Sequence, residues 1–366
     1  MKKIVIIAGD TSGDLYGGNL AGKINKQFGS CQIYSFGGKT LAKNSNQLID
    51  LVSHSVCGLI EVLSSLSKFK KLFNQTLAQI EKIQPDLIIL IDFPDFNLAL
   101  AKKINHRVPV FYYVSPQVWA WRRKRIKVIK KYTTKMIPIF NFEKELYQKE
   151  NMDVAFFGHP LLEIIGQERI KKEKIISFLP GSRKNEIKHH LKLLAKTKEI
   201  LENKLPGYKF QVLKPSGVND ELYKEFKKEE IFNHSYPVLA KSKFVVAASG
   251  TATIETAILE IPYIIIYKIN KLSWYILKRI INTKYAGMLN ILANRQIVPE
   301  LLQNKATPAN IAKGVLNYLG SDSDYESFRK ELKTAKQLLA PYNGITKFAG
   351  YIGKYLNLEE IKKDKI

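Results

Sequence analysis

The chain reads as an α/β protein made of two Rossmann-like domains, each a parallel sheet covered by helices. Short apolar runs alternate with amphipathic helical stretches throughout. That alternation begins afresh near residue 174. The length of 366 residues is also roughly two domains by the ~150-residue prior.

In the first series "KKIVIIAG" (2–9), "QIYSFGG" (32–38), "PDLIILIDF" (85–93) and "VPVFYYVS" (108–115) are strands, being short runs rich in β-branched and aromatic residues. Residues 15–28 and 64–83 repeat apolar side chains at helical spacing. The second series holds the strands "KIISFLPGS" (174–182), "KFQVLKPS" (209–216), "KFVVAASG" (243–250) and "PYIIIYK" (262–268). A seam near "FFGHPLLE" divides a first domain, 1–160, from a second, 161–340. No fixed repeat is present, which excludes a solenoid.

With 45% hydrophobic and 25% charged residues the chain is globular rather than disordered. Two cysteines, Cys31 and Cys57, are too few for a disulfide framework and fit a reducing compartment. The apolar run of "MKKIVIIAGD" stops too early for a signal peptide. No apolar run reaches the length of a membrane span, so a cytoplasmic protein is expected. A net charge of +25 points to an anionic partner: nucleic acid, an acidic membrane face or a phosphorylated substrate. A general lysine bias accounts equally well for much of the excess.

Ligands of open α/β sheets bind beyond the C-terminal ends of the strands. In "IIAGDTSGDLYGG" the loop after the first strand lacks the G-x-G-x-x-G spacing of a dinucleotide site. Ser12, Gly13 and Asp14 can instead face a sugar or phosphate, with Asp14 as a helix cap the plainer reading. "SFLPGSRKNEI" places Gly181, Ser182 and Arg183 at a helix start, where a diphosphate gains from backbone N–H groups and a guanidinium fork. In "ASGTATIETA", Ser249, Gly250 and Thr251 can line a diphosphate and Glu255 can accept from ribose hydroxyls. "VSPQVWAWRRKRIKVIKKY" joins Ser115, Trp119 and Trp121 to a basic run suited to phosphates, an anionic surface or single-stranded nucleic acid. On 56–73, Val56, Leu59, Ile60, Leu63, Leu66 and Phe69 share one helical face, either as core or as an interfacial helix on anionic lipid. His106 and His159 lack metal-ligand spacing, so no metal is expected.

"ILIDFPDFNL" is the most informative stretch: a buried strand that ends in two acids around a proline. Pro94 stops the strand and Asp95 caps the next helix, leaving Asp92 free to take a proton from an alcohol. Residue chemistry alone therefore predicts a two-domain phosphate-ligand enzyme, a group transferase.

Taken together, "AGDTSGD", "GLIEVL", "IDFPDFN", "YYVSPQVWAW", "LPGSR", "ASGTATIET" and "LNILANRQIVPELL" resemble the lipid-A-disaccharide synthase family, in the family's order and over almost the whole chain. The resemblance implies a GT-B glycosyltransferase with two sheets facing a central cleft. It implies transfer of 2,3-diacylglucosamine from UDP-2,3-diacylglucosamine to 2,3-diacylglucosamine 1-phosphate, giving a β-1,6 disaccharide and UDP. It further implies no metal or other cofactor, no nucleic-acid partner, a monomer or homodimer, and action at the inner face of the inner membrane. Asp92 matches the family's general base, Arg183 its essential arginine, and Asn290 and Arg295 positions tied to the nucleotide; Asp10 stands where glutamate is usual. The C-terminal segment, 341–366, is expected to cross back to the first domain. The resemblance favours the lipid-facing reading of 56–73. Rival readings are a lipid II glucosaminyltransferase or UDP-GlcNAc 2-epimerase of the same fold and, in another class, a basic nucleic-acid-binding protein.

Overall fold

The computed structural model describes residues 1–55, 62–166, 170–182, 184–215, 218–270, 274–275 and 283–361. The chain forms two compact units, Met1–Ile164 with Leu339–Ile366, and Ile165–Leu338.

The first unit is built on a parallel sheet of β1 (Lys2–Ala8), β2 (Cys31–Gly37), β3 (Asn46–Asp50), β4 (Leu87–Ile91), β5 (Val110–Tyr113) and β6 (Lys135–Ile137). Their order is β3-β2-β1-β4-β5-β6. β1 and β4 are central, with Ala8 opposite Ile91, and every residue of β4 is buried. That is why "LIILI" is continuously apolar instead of alternating: helices cover both faces of a parallel sheet. The helices Thr11–Gln27 and Val62–Ile83 cover the amphipathic stretches seen in the sequence. β3 and β6 were not foreseen, since "NQLID" and "KMI" are short edge strands with mixed polarity.

The second unit repeats the plan with β7 (Ile175–Leu179), β8 (Lys209–Lys214), β9 (Ile231–Asn233), β10 (Phe244–Ala248), β11 (Tyr263–Tyr267) and β12 (Glu300–Leu302), in the order β12-β11-β10-β7-β8-β9. Both sheets thus share the doubly wound order 3-2-1-4-5-6, whose switch point lies between the first and fourth strands. Two apolar clusters, one around Phe178 and Val246 and one around Val245 and Tyr263, sandwich the second sheet.

The last helix, Gly344–Leu356, belongs to the first unit and packs on Thr11–Gln27. Phe348 stacks on Phe157 and meets Tyr113 at ring centroid distances of 5.4 and 4.9 Å. Thr346 donates its N–H to Glu163 at 3.0 Å, and Lys23 pairs with the same carboxylate at 2.8 Å. His159 donates its backbone N–H to Leu339 where the chain returns. Its buried imidazole, pushed down to about 3 by burial, stays neutral and accepts from the Leu161 N–H. Among the described residues no helix is long and apolar enough to cross a membrane.

Candidate active site

At the switch point of the first unit β1 and β4 end side by side, delivering Asp10 and Asp92 to one place. Asp92 and Phe93 both have positive φ, 41° and 46°. Two consecutive non-glycine residues in this region mark stored strain. The Phe93 ring occupies the space a Cβ on Gly9 would need, 2.1 Å from the nearest ring atom, so residue 9 must be glycine. Asn97 donates its side-chain amide to Asp92 O at 2.8 Å and Ile91 O at 3.1 Å. Tyr112 Oη donates to the same Asp92 oxygen at 2.7 Å. Burial, and secondarily the Asp10 carboxylate, push the Asp92 carboxyl up to about 8, against the Phe93 N–H and the Arg125 guanidinium. Such a carboxyl changes charge near neutral pH, which suits a general base.

Asp95 does not cap the following helix, contrary to expectation. The cap position is Phe93, without a side-chain bond, and Asp95 instead pairs with Arg122 at 3.1 Å and with Arg125. Arg122 lies 4.4 Å over the exposed Trp121 ring, so Asp95 tethers the basic loop to the helix that follows Asp92.

Three residues expected to face the sugar make hydrogen bonds within the first unit. Asp14 is buried, and its carboxylate accepts from the N–H groups of Gly38 (2.7 Å), Thr40 (2.9 Å) and Leu41 (3.0 Å), which fixes the loop after β2. The Gly13 N–H is taken by Asp10, which caps the Thr11–Gln27 helix at 2.6 Å. Ser115 is buried, donating to Pro116 O at 2.8 Å and meeting Tyr147 Oη at 2.7 Å. Ser12 is half-buried in the first turn of the helix. Trp119 is half-buried, with Nε1 donating to Glu143 at 3.0 Å and its ring against Phe142. Burial pushes the Glu143 carboxyl up to about 8, despite the Trp119 donor.

The second unit places both glycine loops at its own switch point, since β7 and β10 are neighbours. Gly181, at φ 115°, and Gly250, at φ 155°, adopt backbone that favours glycine, and the space above Gly250 is open. Ser182 and Thr251 are exposed at this end; Arg183 lies outside the described residues. Buried His190 bridges Pro180 O (2.7 Å from Nδ1) and the Lys268 N–H (3.0 Å from Nε2), tying the ends of β7 and β11 across β10. Burial lowers its pKa, and the bonding needs a neutral ring: Nδ1–H donates while Nε2 accepts. The Glu255 oxygens face Tyr236 Oη at 3.4 Å and His234 Nε2 at 3.0 Å.

The other residues expected at the nucleotide have partners within this unit. Ser249 gives its hydroxyl to Ala286 O at 2.9 Å. Asn290 is fully buried: its amide donates to Val298 O (2.8 Å) and Glu300 (2.7 Å), and its oxygen accepts from Ile297 and Val298. No bonding capacity is left for a ligand. Arg295 is exposed and pairs with Glu331. Glu300, overlooked in the sequence, also accepts from Ala286 and Gly287, so these residues brace the strand ends. A cavity of about 510 Å³, lined by Trp274, Lys284, Tyr285 and Lys305 among others, opens beside the edge strand β12 rather than at the switch point.

Of the expected lipid-facing residues, Val56, Leu59 and Ile60 lie outside the described residues, as do the side chains of Leu63 and Leu66. Phe69 is exposed and stands edge-on to Phe96 at 5.4 Å, beside exposed Lys68, Lys70 and Lys71. Among the described residues no cluster of three or more His, Cys, Asp or Glu can hold a metal.

Comparison with known proteins extends these observations. The fold is similar to that of the S. aureus MnaA–UDP structure, with a TM-score of 0.67, 12% identity and full coverage of both chains. It is also similar to the spinosyn rhamnosyltransferase SpnG, with a TM-score of 0.58 and 10% identity over 96% of this chain and 100% of that one. The chain, with its two Rossmann-like units, therefore has the GT-B type of fold. The lipid-A-disaccharide synthase of Syntrophus aciditrophicus is 35% identical over 358 residues, covering 92% of this chain and 94% of the relative. The family model described as lipid-A-disaccharide synthetase matches residues 4–343, a span that contains both switch points and the strained Asp92 turn. By this match the chain belongs to the lipid-A-disaccharide synthase family.

Proposed function

We propose that the chain transfers a 2,3-diacylglucosaminyl group from its UDP donor to 2,3-diacylglucosamine 1-phosphate, forming the β-1,6 disaccharide 1-phosphate and releasing UDP. The observation that carries this reading is Asp92: a carboxyl with a raised pKa, on a strained turn, at a sheet switch point. Asp92 takes the proton of the acceptor's 6-hydroxyl as that oxygen bonds to the donor's anomeric carbon. The bond from that carbon to the diphosphate breaks, and its electron pair leaves with UDP. Attack opposite the leaving group inverts the anomeric centre.

The leaving diphosphate is assigned to the 180–182 and 249–251 loops, with Arg183 by family resemblance and Glu255 toward the ribose. The N–H groups at these helix starts suit developing negative charge. The internal hydrogen bonds of Asn290 and Ser249 support reading them as braces of this end of the sheet. No metal is assigned to the reaction, and a chelator is expected to leave turnover unchanged.

UDP release with acylated and non-acylated donors tests the reading. Turnover is expected only when both sugars carry acyl chains. Turnover restricted to UDP-GlcNAc would instead favour an epimerase or another glucosaminyltransferase.

A further inference from the structure

We infer that Asn97 is a positioning residue: its amide clamps the carbonyls of Ile91 and Asp92 and so holds the left-handed turn that aims the Asp92 carboxyl. The inference rests on the reading of Asp92 as base and adds a residue that never touches substrate.

A pair of left-handed non-glycine residues persists only where surrounding groups over-determine it. Here they do. The Asn97 amide reaches both carbonyls of the turn, Tyr112 adds a second donor to the Asp92 carbonyl, and Gly9 leaves room for the Phe93 ring.

The other end of the amide shows that packing alone does not explain Asn97. Asn97 is fully buried, yet its Oδ1 has no hydrogen-bond partner among the described residues. The orientation cannot reverse, because both carbonyls only accept. A leucine would fill similar space without an orphaned acceptor, so the role of the amide lies in what its nitrogen holds.

The clamp matters because of what faces the carboxyl. Asp10 approaches from the start of the Thr11–Gln27 helix and Arg125 from the Arg125–Tyr132 helix, while the Tyr112 and Tyr147 rings stand close by. A turn relaxed to ordinary φ swings the carboxyl away from Asp10 and toward water. It then changes both its titration and its reach to the acceptor.

Asn97→Leu tests this in the full chain. The expected kcat falls about 10²-fold, the scale of an ångström-level misplacement, with KM for both sugars nearly unchanged. The Asp92 carboxyl, followed by ¹³C NMR and assigned by its absence in Asp92→Asn, is expected to titrate lower, toward ordinary carboxylates. A folded Asn97→Leu protein with wild-type kcat and wild-type Asp92 titration overturns the inference. Should that variant not fold, Tyr112→Phe removes only the other donor to the Asp92 carbonyl. A lowered titration and kcat there support the clamped turn, and unchanged values overturn it. Wild-type turnover in Asp92→Asn would remove the base reading alone, and the clamp is then judged on the NMR titration.

Discussion

Asp92 keeps its proton to about pH 8 because ionising it means burying charge beside Asp10. Two consequences follow at this residue. As a base it works only when ionised, so kcat/KM should rise with pH and level off above about 8. Asp92→Asn should lower turnover about 10²–10⁴-fold and leave UDP affinity unchanged. Steady-state rates and calorimetric UDP binding check both, and turnover close to wild type would rule out the assignment. The sign for stability is opposite. Between the ordinary aspartate value and about 8 the folded state holds a proton the unfolded state has lost, so stability falls as pH rises through that window. Asp92→Asn should lose this slope and be relatively more stable above pH 8.

The last helix shows how close packing decides what a glycine is for. In Gly344–Leu356, a Cβ on Gly353 would lie 2.0 Å from the buried Phe28 ring, whereas one on Gly350 finds nothing nearer than Gln27 Oε1 at 3.9 Å. Gly350→Ala should therefore stabilise the protein by about 0.5–1 kcal/mol through helix entropy. Gly353→Ala should destabilise it by about 1–3 kcal/mol through overpacking, with Phe28→Leu restoring part of the loss. Thermal denaturation of the two variants and the double variant measures this; equal effects at both glycines would refute the packing argument. The sequence offers two identical helix glycines three residues apart, and only the neighbouring helix end distinguishes them.

Across the whole molecule the charge of +25 has a local expression. Exposed Phe69 with Lys68, Lys70 and Lys71, and exposed Trp121 with Arg122, Arg123 and Lys124, combine apolar insertion with cationic attraction on the first unit. We propose that this unit rests on an anionic membrane surface, where an acylated substrate resides. Flotation with anionic vesicles should show binding that weakens with salt and falls in Phe69→Ser/Trp121→Ser. Equal binding to zwitterionic vesicles, or no change in a folded double variant, would discount the surface.

The sequence by itself determined two doubly wound units, the central strands, the family and the candidacy of Asp92, because buried parallel strands are continuously apolar and ligands gather at strand ends. Edge strands such as β3 and β6 escaped it, being short and half polar. Only the tertiary structure decided which polar residues were free. Asp14, Asn290 and Ser115 look like ligands in the sequence but spend hydrogen bonds on backbone, a neighbouring carboxylate or a neighbouring hydroxyl. Asn97 and His190 drew no attention and hold strand ends in place, while Glu143 holds the Trp119 indole. A polar side chain's role depends on which donors and acceptors lie within about 3 Å of it, and partners far away along the chain meet only once the sheets have formed.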